Sequence, residues 1–153
     1  MNEAVADLAV HLLAEVSSRL GADAPAHRYT HVGEVAYDCD QLVVSLQAIS
    51  VTSTTQSPCA AMPEPEFLVV WTQCVATLDG SQLPSKAALE SDARTAAGMA
   101  YTLLEALLTA RMGKTLLPGV CDCETVRFGD VIIRGPEGGI IGVEIPLFVR
   151  PVR

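Results

Sequence analysis

Between Val126 and Val149 the chain reads VRFGDVIIRGPEGGIIGVEIPLFV, two strand-like runs on either side of Gly135-Pro136-Glu137-Gly138-Gly139. β-branched residues favour extended backbone, and Gly and Pro punctuate it. The segment is therefore expected to form a hairpin over about 126–149, with Gly135, Pro136, Gly138 and Gly139 as its turn. In the last strand Val143, Ile145, Leu147 and Val149 share one face, and Glu144, Pro146, Phe148 and Arg150 share the other. Pro146 donates no ladder hydrogen bond, so this strand is expected at a sheet edge or with a bulge. An edge is where another subunit can dock, which makes Pro146 and Phe148 candidate interface residues.

Upstream, the clearest periodic segment is an N-terminal helix over about 3–20. Val5, Leu8, Ala9, Leu12, Leu13, Val16 and Leu20 recur at three and four residues and form one apolar stripe. Asn2 suits its N-cap, Glu3 and Asp7 its positive end, Arg19 its negative end, and Gly21 its stop. Tyr29 to Tyr37 reads as a strand, Asp38-Cys39-Asp40 as a turn, and Gln41 to Val51 as a strand apolar on both faces. The stretch over about 52–66 (TSTTQSPCAAMPEPE) reads as a long loop, and Phe67 to Leu78 as a central strand carrying Trp71. A second helix is expected over about 85–112, capped by Ser85. Its apolar face holds Leu89, Ala93, Ala96, Ala97, Ala100, Leu103, Leu104, Leu107 and Leu108, and small residues there would let it lie close on a sheet. The expected order is α-β-β-β-α-β-β: a single α+β domain over 1–153, a mixed or antiparallel sheet with helices packed on it.

The 153 residues are enough to bury a core without staples, and half of them are hydrophobic. No apolar run reaches the length of about 18 residues needed to span a bilayer, and the acidic N-terminus lacks the basic region of a signal peptide. Synthesis in the cytoplasm is expected. A net charge of −8 with no basic run argues against wrapping nucleic acid. The acidity either keeps the protein soluble or keeps DNA off a nearby surface.

Candidate chemistry does not converge. The sequence has no Gly-x-Ser-x-Gly elbow, no phosphate loop ending in Gly-Lys-Ser/Thr and no His-Glu-x-x-His helix. The glycine-rich turn has no following helix and no Lys for phosphate. Asp38 and Asp40 bracket Cys39 but lack the further oxygen ligands of a calcium loop. Cys39, Cys59, Cys74, Cys121 and Cys123 form an odd set. Buried thiols are the ordinary state in a cytosolic chain. Zinc at Cys121-Asp122-Cys123 would need wider cysteine spacing or nearby His ligands, and His11, His27 and His31 lie far upstream. His27 or His31 with a cysteine could form a nucleophilic pair, since such pairs are spatial, but nothing in the sequence supports one. No catalytic, metal or cofactor residue is assigned, and the chain is expected not to be an enzyme.

Four local features, in order, resemble a family of small virion proteins of tailed phages that infect actinobacteria. They are Val35-Ala36-Tyr37-Asp38-Cys39 followed by Gln41-Leu42-Val43-Val44, and then Trp71 with Cys74. Pro84-Ser85 before a helix with Asp92-Ala93 comes next, and Gly135-Pro136-Glu137-Gly138-Gly139 followed by Gly142 completes the set. Tyr37 stands where the family commonly has Trp, and the turn after Cys39 lacks its usual glycine. The order of elements is similar to that of tail terminator proteins of long-tailed phages (siphoviruses). The resemblance implies a structural protein forming a homo-hexameric ring that caps the head-proximal end of the tail tube. Such a ring stops tube polymerisation and meets the head-side connector, while DNA passes through its lumen without specific binding. The contact surfaces would be the strand with Pro146 and the 52–66 segment. In a particle later exposed to an oxidising exterior, Cys39 and Cys74 would be the first disulfide partners. Alternatives are a head-to-tail stopper or adaptor, a small Cys/His enzyme, and a cytoplasmic binding domain.

Overall fold

The computed structural model describes residues 3–54, 57–75, 84–117 and 126–150. Two helices lie on one face of a six-stranded mixed sheet, a single α+β domain. The elements are α1 (Glu3–Leu20), a 3-10 turn (Gly21–Asp23), β1 (His27–Val32), β2 (Gln41–Thr54), β3 (Ser57–Cys74), α2 (Lys86–Met112), β4 (Val126–Phe128), β5 (Ile132–Glu137) and β6 (Ile140–Val149). The sheet runs β1-β2-β3-β6-β4, with β5 also paired to β6. α1 packs on β1 and β2, α2 packs on β5 and β6, and the helices touch each other.

The α1 stripe fills the core as its spacing dictates: Ala9, Leu12, Val16 and Leu20 are buried, with Val5, Leu8 and Leu13 packed around them. Gly21 takes the left-handed backbone (φ 57°) that ends the helix. Ser85 caps α2 by accepting a hydrogen bond from the Ala88 N–H at 3.1 Å. The buried stripe of α2 is Ala96, Met99, Ala100, Leu103, Ala106, Leu107 and Ala110. It is rotated from the expected face: Leu89 is 47% exposed, Ala93 is also exposed, Ala97, Leu104 and Leu108 are only half-buried, and Met99, Ala106 and Ala110 join the buried stripe. Ala tolerates either environment, so an Ala-rich helix states its buried face weakly. Gly113 ends α2 with ordinary right-handed backbone, and the left-handed residue is Lys114 at φ 59°.

Four expectations about the strands and their turn need correction. First, the 52–66 segment is no loop: β2 runs to Thr54 and β3 starts at Ser57, paired antiparallel as a long two-stranded arm. The segment includes Pro63 and Pro65, which a strand paired on both sides would exclude. In β3, N–H groups alternate sides, and the Val75 N–H donates to the Gly139 carbonyl on the β6 side, so the odd-numbered residues of this strand face β6. Residues 63 and 65 therefore face the β6 side, where the β3–β6 pairing has already ended at Glu66. Among the described residues no strand pairs with that side, so the missing donors cost no ladder bond there.

Second, β6 is not an edge: it lies between β3 and the pair β4/β5. Pro146 survives there because its backbone faces the break between β4 and β5, where its carbonyl accepts from the Gly129 N–H at 2.8 Å. The spot is crowded: a Cβ at Gly129 would stand 3.0 Å from Pro146 Cγ and 3.4 Å from Phe148 Cε2. The expected two-strand closing hairpin is thus three strands.

Third, the glycine-rich turn is shorter than expected. Gly138 (φ 60°) and Gly139 (φ 79°) alone form it, the two-residue pattern that twists with a hairpin. Gly135 and Pro136 belong to β5, opposite Ile141, as a bulge between the pairs Arg134↔Gly142 and Glu137↔Ile140. The expected strand from Tyr29 to Tyr37 also shortens, to His27–Val32.

Candidate assembly surfaces

β1 pairs parallel to β2, with His27 opposite Gln41 and Val32 opposite Leu46. A parallel connection normally takes a dozen or more residues, usually a helix. Here residues 33–40 return the chain as an extended strap across the sheet face that carries no helix. Val35 anchors it among Val43, Val70 and Leu68. With no helix to satisfy its own backbone, the strap leaves carbonyls for the sheet to serve. Ser45 Oγ and Gln47 Nε2 donate to the Gly33 carbonyl at 2.7 and 2.6 Å. Gln41 Nε2 donates to Ala36 at 2.8 Å, and Thr72 Oγ1 to Asp38 at 2.5 Å. Gln41, 2% exposed, also accepts from the Tyr29 hydroxyl at 2.9 Å. Gly142 leaves room for the Tyr37 ring, which a Cβ would meet at 3.3 Å. The strap ends in a disulfide between Cys39 and Cys74, with a Cα separation of 4.9 Å. This is the pair singled out in the sequence. Beside it, Asp38 accepts from the Cys39 N–H at 2.7 Å, and Asp40, at φ 50°, accepts from the Cys74 N–H at 3.2 Å.

Beyond the strap this sheet face has no second layer among the described residues. Leu68, Pro146 and Phe148 stand on it, each half-buried, so the two candidate interface residues share a surface although their strand is internal. Arg127 lies over the Phe148 ring at 4.8 Å. Two ion pairs flank the patch: Arg150 with Glu64 at 2.5 Å and Arg134 with Glu144 at 3.3 Å. Glu144 is 6% exposed, and burial raises its carboxyl above the usual range.

Two further apolar surfaces face the helix side. A bulge at Gln47 moves Ala48 to the strap side and turns Ile49 and Val51 to the helix side of the arm, 48% and 66% exposed. A groove of about 270 Å³ opens between α2 and β5, lined by Ala97, Ala100, Tyr101, Leu104, Val131 and Ile133. Tyr101 is 77% exposed and Ile133 50%. This groove carries no signal in the sequence: Tyr101 sits inside an Ala-rich helical pattern, and Ile133 looks like an ordinary strand residue.

His27 and His31 sit on β1, whose six residues are all exposed, and His31 meets the Tyr29 ring edge-on at 6.5 Å. His11 instead bonds the Thr115 carbonyl at 2.9 Å, beside a cluster in which Thr115 Oγ1 donates to Glu15 and Arg19 contacts both. The hydrogen bond from Thr115, with the Arg19 charge, holds the Glu15 carboxyl below its usual range. Cys39 and Cys74 are consumed by the disulfide, which leaves neither as a nucleophile. Cys121 and Cys123 lie outside the described residues, as does the Cys59 side chain. Among the described residues no three His, Cys, Asp or Glu side chains are grouped to hold a metal ion. Nor is any described helix long and apolar enough to cross a membrane. No protein-family model and no curated protein matches the chain.

Proposed function

We propose that the chain is a structural virion protein, a tail terminator whose ring caps the tail tube and meets the head-side connector. A ring closes through a heterologous contact, so each subunit needs two unlike, complementary surfaces. One observation carries the reading: this small domain exposes an apolar projecting arm at Ile49 and Val51, and an apolar groove around Tyr101 and Ile133. Exposed apolar patches on a soluble domain mark contact sites, and aromatic anchors in grooves dominate their energetics. The unlayered sheet face with Leu68, Pro146 and Phe148 is a third surface, suited to the axial neighbours above or below a ring. The net charge of −8 suits a lumen that lets DNA pass without holding it.

The test pairs the full-length chain with its tube protein and follows ring formation by native mass spectrometry and negative-stain microscopy. The chain should form closed rings on tube ends. A variant with Ile49→Asp and Val51→Asp should stay folded and fail to form them. A variant that caps tubes as well as the parent would remove the arm from the mechanism, and a chain that ignores tube ends would remove the function.

A further inference from the structure

Two exposed carboxylates, Asp38 and Asp40, flank the half-cystine Cys39, and Asp40 is tied directly to the backbone of Cys74. On the strap side, the pocket beside Ile140, the residue paired with Cys74, is lined by Glu34 and by Arg134, whose charge is already paired with Glu144; on the helix side Asp40 lines a groove with Asp23, Trp71, Gln73 and Met99. Cys74 is exposed and Cys39 half-buried, so small thiols can reach the bond. The strap is meanwhile held by four side-chain hydrogen bonds to its carbonyls and by buried Val35, none of which needs the sulfurs to be joined.

We propose that the Cys39–Cys74 bond is a redox lock closed on an already folded strap, and that Asp38 and Asp40 guard it against anionic thiols. Closure is thiol–disulfide exchange with a low-molecular-weight disulfide. One protein thiolate attacks the disulfide, forms a mixed disulfide and expels one small thiol. The second protein thiolate then displaces the other, so two protein thiols are oxidised as one small disulfide is reduced to two thiols. Opening is the reverse, and its first step brings an external thiolate up to a sulfur beside two negative charges. Reagent charge therefore sets its rate: the carboxylates repel the dianionic thiolate of a sulfonate-bearing thiol far more than the zwitterionic thiolate of an ammonium-bearing one. Near the surface two such charges separate the two reagents by about tenfold at low salt, and salt screens the difference.

The experiment reduces the intact oxidised chain with cysteamine (cationic) and with mercaptoethanesulfonate (anionic). Each rate is divided by the same reagent's rate on a small neutral disulfide, so that intrinsic reactivity cancels. In the parent the cationic reagent should lead by about tenfold at low salt. The lead should collapse in about 1 M salt, where the Debye length is about 3 Å, and in Asp38→Asn/Asp40→Asn. Each Asn keeps the single Oδ1 that accepts from the Cys39 or Cys74 N–H, and Asn tolerates the left-handed backbone at position 40, so the turn survives the substitution. An equal lead in parent and variant, or one indifferent to salt, overturns the guarding role. Circular dichroism and Trp71 fluorescence of the fully reduced chain test the lock. Native spectra with a melting temperature lowered by about 10 °C are expected; a reduced chain that is unfolded at 25 °C overturns closure on a preformed strap.

Discussion

Replacing Gln41 with Met tests whether side chains of the sheet substitute for a crossover helix. The substitution keeps an unbranched chain of similar length but removes the donor to Ala36, at 2.8 Å, and the acceptor for the Tyr29 hydroxyl, at 2.9 Å. A neutral intramolecular hydrogen bond nets about 1 kcal/mol, so the two sum to about 2 kcal/mol. The shares differ. Tyr29 is 39% exposed, and its hydroxyl can turn to water, whereas the Ala36 carbonyl lies against the side chain of a residue that is 2% exposed. For a chain of this size a loss of about 2 kcal/mol lowers the melting temperature by about 4–8 °C. Urea unfolding of the oxidised chain, followed by Trp71 fluorescence, should show an earlier midpoint at unchanged slope. A double-mutant cycle with Tyr29→Phe should return a coupling of about 0.5–1 kcal/mol. If Gln41→Met stays within about 0.5 kcal/mol of the parent, the strap is held by Val35 and the disulfide, and the hydrogen-bond argument is wrong.

Gly129→Ala should cost about 1–3 kcal/mol by urea unfolding, because its Cβ would press on the rigid Pro146 ring at 3.0–3.1 Å; a neutral effect would show that the β4–β5 break can shift. Glu15 has a carboxyl held below its usual range, so its contribution is present above the unfolded value of 4.5 and is lost as pH falls through the lower folded value. Glu15→Gln should accordingly cost about 1 kcal/mol at pH 7, with the gap to the parent closing under acid. Glu144 runs the other way: its carboxyl is raised, so its contribution is present below 4.5 and lost as pH rises through the folded value. Burial outweighs the Arg134 pair because that Arg side chain is 57% exposed and its charge is screened. Glu144→Gln should therefore gain stability relative to the parent between pH 4 and pH 7; a relative loss would make Arg134 the stronger influence.

Much of the fold was legible where one periodicity dominated. The α1 stripe and the alternation of Val143, Ile145, Leu147 and Val149, all fully buried, follow from spacing alone. The failures have physical causes. Prolines at 63 and 65 argue against a strand only if both of its sides are paired, and pairing is a tertiary fact. Pro146 suggested an edge because the sequence does not show that its neighbour strand breaks at Gly129. In sequence, residues 33–37 of the strap look like the end of a strand, because the strap's bonds go to Gln41, Ser45, Gln47 and Thr72, partners that only the folded sheet brings near. Of the candidate site, the cysteine pair and the patch residues Pro146 and Phe148 were visible. The groove with Tyr101 was not, because an Ala-rich helix hides which way it faces.

The central claim, that this chain ends tail growth, is tested most directly by electron microscopy of particles assembled with its gene disrupted. Overlong tails of irregular length, unattached to heads, are the predicted result. Tails of normal length beside heads that have lost their DNA would move the protein to the head side of the junction, and intact infectious particles would contradict a structural role altogether.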